Sequence, residues 1–119
     1  MFFKLNETET VELKYSFRSA IYFEQIAGHS IDFTKLNAND LITLFYCVVI
    51  ASLQKAKKPV ITMLEFMDCI DEYNGGDKYL TDFAEWYISV IKKQFELLAE
   101  EKEDNKEKPV KSKGKKNQA

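Results

Sequence analysis

The start of the chain alternates between apolar and polar side chains with a period of two. The apolar face of this pattern carries Phe3, Leu5, Val11, Leu13 and Tyr15. A polar stretch over residues 6–10 separates the two alternating runs. Such alternation predicts a two-stranded hairpin with one covered face. Because a lone hairpin is marginal in water, we expect its apolar face to lie on the helices that follow.

Apolar residues at three- and four-residue spacing predict a first helix that starts at residue 17. Ser16 suits the cap before the helix, and Gly28 suits the left-handed position that ends it. The apolar positions of this helix are Phe17, Ala20, Ile21, Phe23, Ile26 and Ala27. Ile31 and Phe33 lie in the connection that follows, and we expect both to fold back against the core.

The second predicted helix is capped by Asn39 or Asp40 and runs to about Lys57. It has almost no polar face. Its apolar residues are Leu41, Ile42, Leu44, Phe45, Tyr46, Cys47, Val48, Val49, Ile50 and Leu53. Because a helix that is apolar all round is packed on several sides, we expect it to be the core, or partly the core and partly an interface.

Two further helices complete the pattern. Thr62 and Glu65 fit a capping box at the start of the third helix. Its apolar stripe consists of Met63, Phe66, Met67, Ile70 and Tyr73. Asn74-Gly75-Gly76 turns the chain, and Asp77 can cap the fourth helix. The expected inner face of that helix carries Leu80, Phe83, Ala84, Tyr87, Ile88, Ile91, Phe95 and Leu98.

The 119-residue chain therefore divides into a folded domain, residues 1–99, and a charged tail, residues 100–119. We predict a mainly α fold with about four helices, an N-terminal β-hairpin and a disordered, Lys-rich tail. Residues 1–99 hold 10 Lys/Arg and 14 Asp/Glu, a net charge of −4, whereas residues 100–119 hold 7 Lys and 5 Asp/Glu, a net charge of +2. The acidic body argues against a nucleic-acid-binding face on it.

Membrane insertion and export are not indicated. The longest apolar stretch, residues 41–53, is shorter than the roughly 20 residues that a membrane span requires. The first residues do not combine a basic segment, an apolar run and a cleavage site. Cys47 and Cys69 sit in apolar helical patterns, which favours two buried, reduced thiols over a disulfide. We expect a soluble cytoplasmic protein.

Few residues in the sequence are candidates for catalysis or metal binding. The single histidine, His29, lies in a turn, and the two cysteines stand alone on different helices, whereas a closed zinc site needs four ligands. The acids near Gly75-Gly76 do not match the register of a calcium loop. A Cys–His dyad is conceivable, but thiols inside apolar helices are usually inert. We expect no catalytic, metal or cofactor site.

Large aromatic side chains are the feature that points to binding. Tyr and Trp are enriched at protein interfaces, although each of these residues is equally compatible with a place in the core. The candidate interaction residues are Tyr79, Trp86 and Tyr87, with Phe45 and Tyr46 as further candidates. The excess apolar surface of the second helix also makes a homo-oligomer plausible.

The order of these parts resembles the tail assembly chaperones of long-tailed bacteriophages and prophages. The resemblance covers roughly residues 3–73 in pattern, from the short hairpin through a helix like Asp40 to Leu53 and a short helix like Thr62 to Glu72. Three groups of residues carry its motifs: Leu13-Lys14-Tyr15-Ser16-Phe17-Arg18-Ser19-Ala20, Phe23-Glu24-Gln25-Ile26-Ala27-Gly28 and Ile31-Asp32-Phe33. In that family an aromatic-Arg-x-Ala-like start, an apolar-Glu step and a Gly before a hydrophobic-Asp-Phe group recur in this order. None of these motifs is a catalytic signature.

The resemblance implies a non-catalytic role in phage tail assembly. Such chaperones bind the tape measure protein in the host cytoplasm before the tail tube polymerises, and they are absent from the mature virion. A ribosomal frameshift often adds a domain that recruits tail tube subunits, and Gly114-Lys115-Lys116-Asn117 is compatible with a slippery codon run. The alternative is a small helical nucleic-acid-binding regulator that uses the basic tail, residues 108–119.

Overall fold

The computed structural model describes residues 1–32 and 34–107, with side chains described up to residue 94 and at residue 96. The elements run in the order β1 (Phe2–Lys4), β2 (Thr10–Glu12), α1 (Phe17–Ala27), α2 (Ala38–Lys55), α3 (Met63–Tyr73) and α4 (Asp77–Glu107). The predicted mainly α fold, with four helices and an N-terminal hairpin in the described part, is confirmed. One unit spans Met1–Tyr87, and a second begins at Ile88 within α4.

The hairpin pairs its strands antiparallel, with Phe3 opposite Val11. Asn6 holds the turn, because its side-chain Oδ1 accepts hydrogen bonds from the amides of Thr8 at 2.9 Å and Glu9 at 2.8 Å. Phe3, Val11 and the following Leu13 are buried. The hairpin therefore has the single covered face that its alternation predicted.

Three of the predicted helix signals are confirmed. Ser16 caps α1 by accepting from the amide of Ser19, and Gly28 ends it in the left-handed region at φ 81°. At the start of α3 the capping box forms in both directions: the Glu65 amide donates to the Thr62 hydroxyl at 3.1 Å, and the Thr62 amide donates to the Glu65 carboxylate at 2.8 Å. These local interactions fix where α1 and α3 begin.

The bounds of α2 differ from the prediction. Its cap is Asn37, whose Oδ1 accepts from the amide of Asp40 at 2.8 Å, so the predicted cap at Asn39 or Asp40 is wrong. Several neighbouring Asn and Asp residues have similar capping propensity, and the sequence alone does not rank them. The helix ends at Lys55, and Lys57 takes the left-handed conformation at φ 62°.

The core is built around α2, as its all-apolar sequence predicted. Its buried residues are Leu44, Phe45, Cys47, Val48, Val49, Ile50, Ala51, Ser52 and Leu53. Phe45 stacks on Phe83 of α4 with ring centroids 4.1 Å apart, and it meets Phe3 and Phe66 edge-on. The hairpin, α3 and the start of α4 thus pack their aromatic side chains against one helix.

The inner stripes of α3 and α4 are only partly buried. Phe66, Ile70, Phe83 and Tyr87 are buried, whereas Met67 and Ile88 are exposed. The predicted inner positions Phe95 and Leu98, and the plug residue Phe33, lie outside the described side chains. From its start at Asp77, α4 includes the charged run 100–107, and residues 108–119 are outside the described part. Within the described residues, no helix is long and apolar enough to cross a membrane.

Candidate protein-binding groove

Two of the five predicted interaction residues lie in the core. Phe45 is 0% exposed and Tyr87 is 2% exposed, so neither offers contact area to a partner in this conformation. Tyr87 packs on Phe83 at 5.6 Å and on Tyr15 at 6.1 Å between ring centroids. The sequence pattern gives these two rings both interpretations, because helical periodicity does not distinguish an inward aromatic from an interfacial one. The structure places both in the core, where Tyr87 lies on the expected inner face of α4 and Phe45 lies on the all-apolar α2.

Tyr46 and Trp86 are half-buried and lie on different helices. The Tyr46 hydroxyl donates a 2.7 Å hydrogen bond to the carbonyl of Ile61, which ties α2 to the chain just before α3. Trp86 packs beside Phe83 and Tyr87, with ring centroids 6.0 Å and 6.3 Å away. The described contacts of both rings are thus within the domain.

Tyr79 is half-buried, but its hydroxyl is not exposed. Its ring stacks on Phe45 at 5.7 Å and tilts against Phe3 at 6.2 Å. The hydroxyl oxygen is buried and has no hydrogen-bond partner among the described residues. Burial raises the pKa of Tyr79 to about 12, with a contribution from Asp82. This tyrosine therefore supports the core and presents little of itself to a partner.

A small open groove lies where α2, α3 and the start of α4 meet. Its volume is about 140 Å³. Its lining consists of Ile42, Met67, Ile70, Asp71, Asp77 and Leu80. Four of these six side chains are apolar, and Met67 is 40% exposed, so part of the predicted α3 core stripe forms surface instead. We call this feature the α2–α3–α4 groove.

Exposed apolar surface continues from the groove along α3. Leu64 is 67% exposed and precedes Met67 by three residues, a spacing that puts both on one side of the helix. Leu64 is not part of the stripe that periodicity assigned to the core. In the sequence, this apolar surface is indicated by Leu64, an apolar residue outside that stripe and close to Met63 and Met67 of the same helix.

The surroundings of the groove are strongly acidic. Asp71 and Asp77 belong to its lining. Over residues 62–87 the sequence has seven carboxylates and one lysine, a net charge of −6. The net charge of −4 over residues 1–99 does not show this local concentration of acidic residues. An apolar strip beside fixed negative charge favours a partner that has apolar and basic side chains.

The candidate metal-binding and nucleophilic side chains in the described part of the chain do not form a cluster. Among the described residues, no three His, Cys, Asp or Glu side chains are grouped so that they could hold a metal ion. Cys47 and Cys69 are buried free thiols, and the Cys69 thiol donates to the carbonyl of Leu5 at 3.3 Å. Burial raises the pKa of Cys47 to about 12 and raises the pKa of Cys69 as well. Burial therefore disfavours the thiolate form of both cysteines.

His29 is exposed at the end of α1. Its Nε2 atom lies 3.4 Å from a carboxylate oxygen of Asp40, and its Nδ1 atom lies 2.9 Å from the carbonyl oxygen of Ser30. These neighbours, the Ser30 carbonyl first, raise the pKa of His29 above its ordinary value. The ring also meets Phe23 edge-on at 5.6 Å, so the described contacts of His29 join the end of α1 to the start of α2.

No protein-family model, curated protein or solved structure matches the sequence.

Proposed function

We propose that the protein is a non-catalytic assembly chaperone that binds an amphipathic helical segment of a partner protein in the α2–α3–α4 groove. The observation that carries this proposal is the exposed apolar strip Leu64–Met67, which leads into a groove with Asp71 and Asp77 in its lining. Groove recognition of a helix uses apolar anchors at three- and four-residue spacing. The acidic lining selects a helix whose anchors are flanked by Lys or Arg.

Met67, where the strip meets the groove, suits a partner whose sequence varies along its length. Met67 has a flexible, polarisable side chain that adapts to differently shaped apolar anchors. Flexible, Met-rich surfaces are a feature of proteins that bind many related segments. One small groove can therefore bind successive stripes of a long helical protein.

The resemblance to phage tail assembly chaperones supplies the partner. A tape measure protein is long and largely helical, and its apolar stripes favour aggregation while they are uncovered. We propose that this chain covers such stripes in the bacterial cytoplasm, is released as tail tube subunits assemble, and is absent from the finished virion. The hairpin followed by four helices supports the likeness in the order of elements.

Co-expression tests the proposal. The partner is the long helical protein encoded by the neighbouring downstream gene, and the readout is its soluble fraction with and without this chain. We expect a several-fold increase with the unaltered chain and loss of that increase with Met67→Glu. Ile21→Glu is the matched control, because Ile21 on α1 is 41% exposed against 40% for Met67. No gain in solubility, or equal loss with both variants, would overturn the proposal.

A further inference from the structure

Half of the basic side chains of residues 1–99 gather around one end of α2. Lys55 is the last residue of that helix, and Lys57 and Lys58 follow it; Arg18 lies in the first turn of α1, and Lys14 lies in the segment after β2. Two open depressions, of about 360 Å³ and 220 Å³, share Lys55 in their linings. The first also includes Arg18 and Lys57, and the second Lys14 and Lys58. We call these five residues the basic surface.

Two of the five cations are held in place by neutral partners. Arg18 Nη1 donates to Gln54 Oε1 at 3.2 Å, and the Tyr22 hydroxyl donates to the same oxygen at 2.7 Å. Lys58 Nζ donates to the carbonyl of Thr10 at 3.0 Å. Fixing a long side chain beforehand reduces the entropy that an incoming anion would otherwise have to remove.

The positive charges are not neutralised by carboxylates. Among the described side chains, an ion pair joins His29 to Asp40. None of the described carboxylates lies within 4.0 Å of a cation of the basic surface. Glu12 lines one of the two depressions. The negative end of the α2 dipole accounts for lysines that follow the helix. It does not account for Arg18 and Lys14, which other segments bring to the same place.

Lys57 occupies a position that favours glycine. It has φ 62°, its amide donates to Gln54 O, and the next amide, of Lys58, donates to Leu53 O. This is the pattern of a Schellman ending, in which the left-handed residue is usually glycine. A side chain at this position strains the backbone. Replacing Lys57 by glycine is therefore expected to help folding while it removes one charge from the basic surface.

We propose that the basic surface binds single-stranded nucleic acid. Its charges are spread over two adjoining depressions, which suits a linear polyanion better than a single small anion. Phe17 adjoins Arg18 in sequence and is 76% exposed, and a positively charged track with an exposed aromatic ring is the combination that binds phosphates and stacks bases. An acidic peptide would use the charges but has no base to stack on Phe17.

The net charge of −4 over residues 1–99 does not oppose this assignment, because the acidic residues are concentrated over 62–87. The basic surface belongs to residues 14–18 and 55–58, outside that stretch. The sequence indicated nucleic-acid binding only through the lysines of the tail. The proposed site lies on the folded unit and is independent of the α2–α3–α4 groove.

The test is fluorescence anisotropy of a labelled oligo-dT or oligo-U of about 15 nucleotides, titrated with the full chain at several salt concentrations. Each phosphate contact on a single strand contributes about −0.7 to the slope of log K against log salt. We expect a slope between about −2 and −3.5, for three to five contacts. Lys55→Gln should reduce the steepness by about 0.7, whereas Lys35→Gln, in the α1–α2 connection, should leave it unchanged.

Three further variants separate the outcomes. A chain with Lys111, Lys113, Lys115 and Lys116 changed to Gln should still bind, and loss of all binding in it would assign the activity to the tail and overturn the proposal. Phe17→Ala should weaken binding several-fold without changing the salt slope. Equal binding of a poly-Glu peptide, with no effect of Phe17→Ala, would contradict a nucleic-acid ligand.

Lys57→Gly distinguishes a loss of binding from a loss of folding. We expect a raised unfolding midpoint together with weaker binding, a combination that damage to the fold does not produce. Unchanged binding in both Lys57→Gly and Lys55→Gln would show that the basic surface is not the site. None of these changes touches Met67, so failure here leaves the co-expression result for the chaperone function unaffected.

Discussion

The side chain of Asn74 pairs with the backbone of Lys4 in both directions, although the two residues are 70 positions apart. The Lys4 amide donates to Asn74 Oδ1 at 2.9 Å, and Asn74 Nδ2 donates back to the Lys4 carbonyl at 2.9 Å. The same Nδ2 also donates to the carbonyl of Cys69 at 2.9 Å. One amide at the end of α3 thus pairs with β1 as a neighbouring strand would.

Asn74→Ala is expected to lower the free energy of unfolding by about 1–2 kcal/mol, because it removes three hydrogen bonds, and water can replace the two on the exposed backbone of Lys4. The measurement is urea denaturation followed by circular dichroism. Asn39→Ala serves as the control: Asn39 is exposed in the first turn of α2, and a change there should stay within about 0.5 kcal/mol. Equal effects of the two substitutions would contradict a fastening role for Asn74.

The stacked pair Phe45–Phe83 is the centre of the aromatic core, with an interplanar angle of 1°. Phe83→Ala removes one ring from a fully buried site and should cost about 3–5 kcal/mol in denaturant unfolding. Phe17→Ala removes the same group from a surface position and should change the free energy of unfolding by no more than about 0.5 kcal/mol. Similar losses from both would mean that α4 does not pack on α2 as described.

The substitution Tyr→Phe is expected to have different effects on stability at Tyr46 and at Tyr79. Tyr46→Phe removes the 2.7 Å hydrogen bond to Ile61 and should destabilise by about 1 kcal/mol. Tyr79→Phe removes a buried hydroxyl that has no partner among the described residues, so it should be neutral or stabilise by up to about 1 kcal/mol. Thermal and urea unfolding of the two variants side by side checks this, and a clear loss with Tyr79→Phe would point to a hydrogen bond that the geometry does not show.

The stability of the fold should fall in alkaline solution. Burial raises the pKa of Cys47 from about 9 to about 12 and the pKa of Tyr79 from about 10 to about 12, and it raises the pKa of Tyr87 as well. Because each folded-state pKa lies above the unfolded value, this stabilisation is complete below about pH 9 and is lost progressively as the pH rises to about 12. Urea unfolding at pH 7, 9 and 10.5 measures the decline, and Tyr79→Phe should make it shallower. A constant free energy of unfolding over this range would contradict the burial of these groups.

Local signals in the sequence were sufficient for much of the fold. Ser16, Gly28 and the Thr62–Glu65 box act within one helical turn, so the residues that mark a helix end also form it. The cap of α2 was misplaced because Asn37, Asn39 and Asp40 compete within the same few positions. In the structure it is Asn37 that accepts from the amide of Asp40, at 2.8 Å.

The candidate site was not predictable in the same way. Periodicity places a side chain on a face of its helix, but it does not say whether another element covers that face. Phe45 and Tyr87 are covered by neighbouring aromatic rings, whereas Met67, on a stripe of the same kind, is not. The groove is also lined by Ile42, Met67 and Leu80, which lie on three different helices. Whether these residues come together depends on how the three helices pack.

Hydrogen exchange of this chain, alone and mixed with the proposed tape measure partner, is the most direct test of binding in the α2–α3–α4 groove. We expect slower exchange on binding in α3, residues 63–73, in the first turn of α4 and near Ile42, with no change over α1, residues 17–27. Met67→Glu should abolish this protection, and Ile21→Glu should preserve it. Protection over α1 without any over α3, or no protection anywhere on this chain, would contradict binding in the α2–α3–α4 groove.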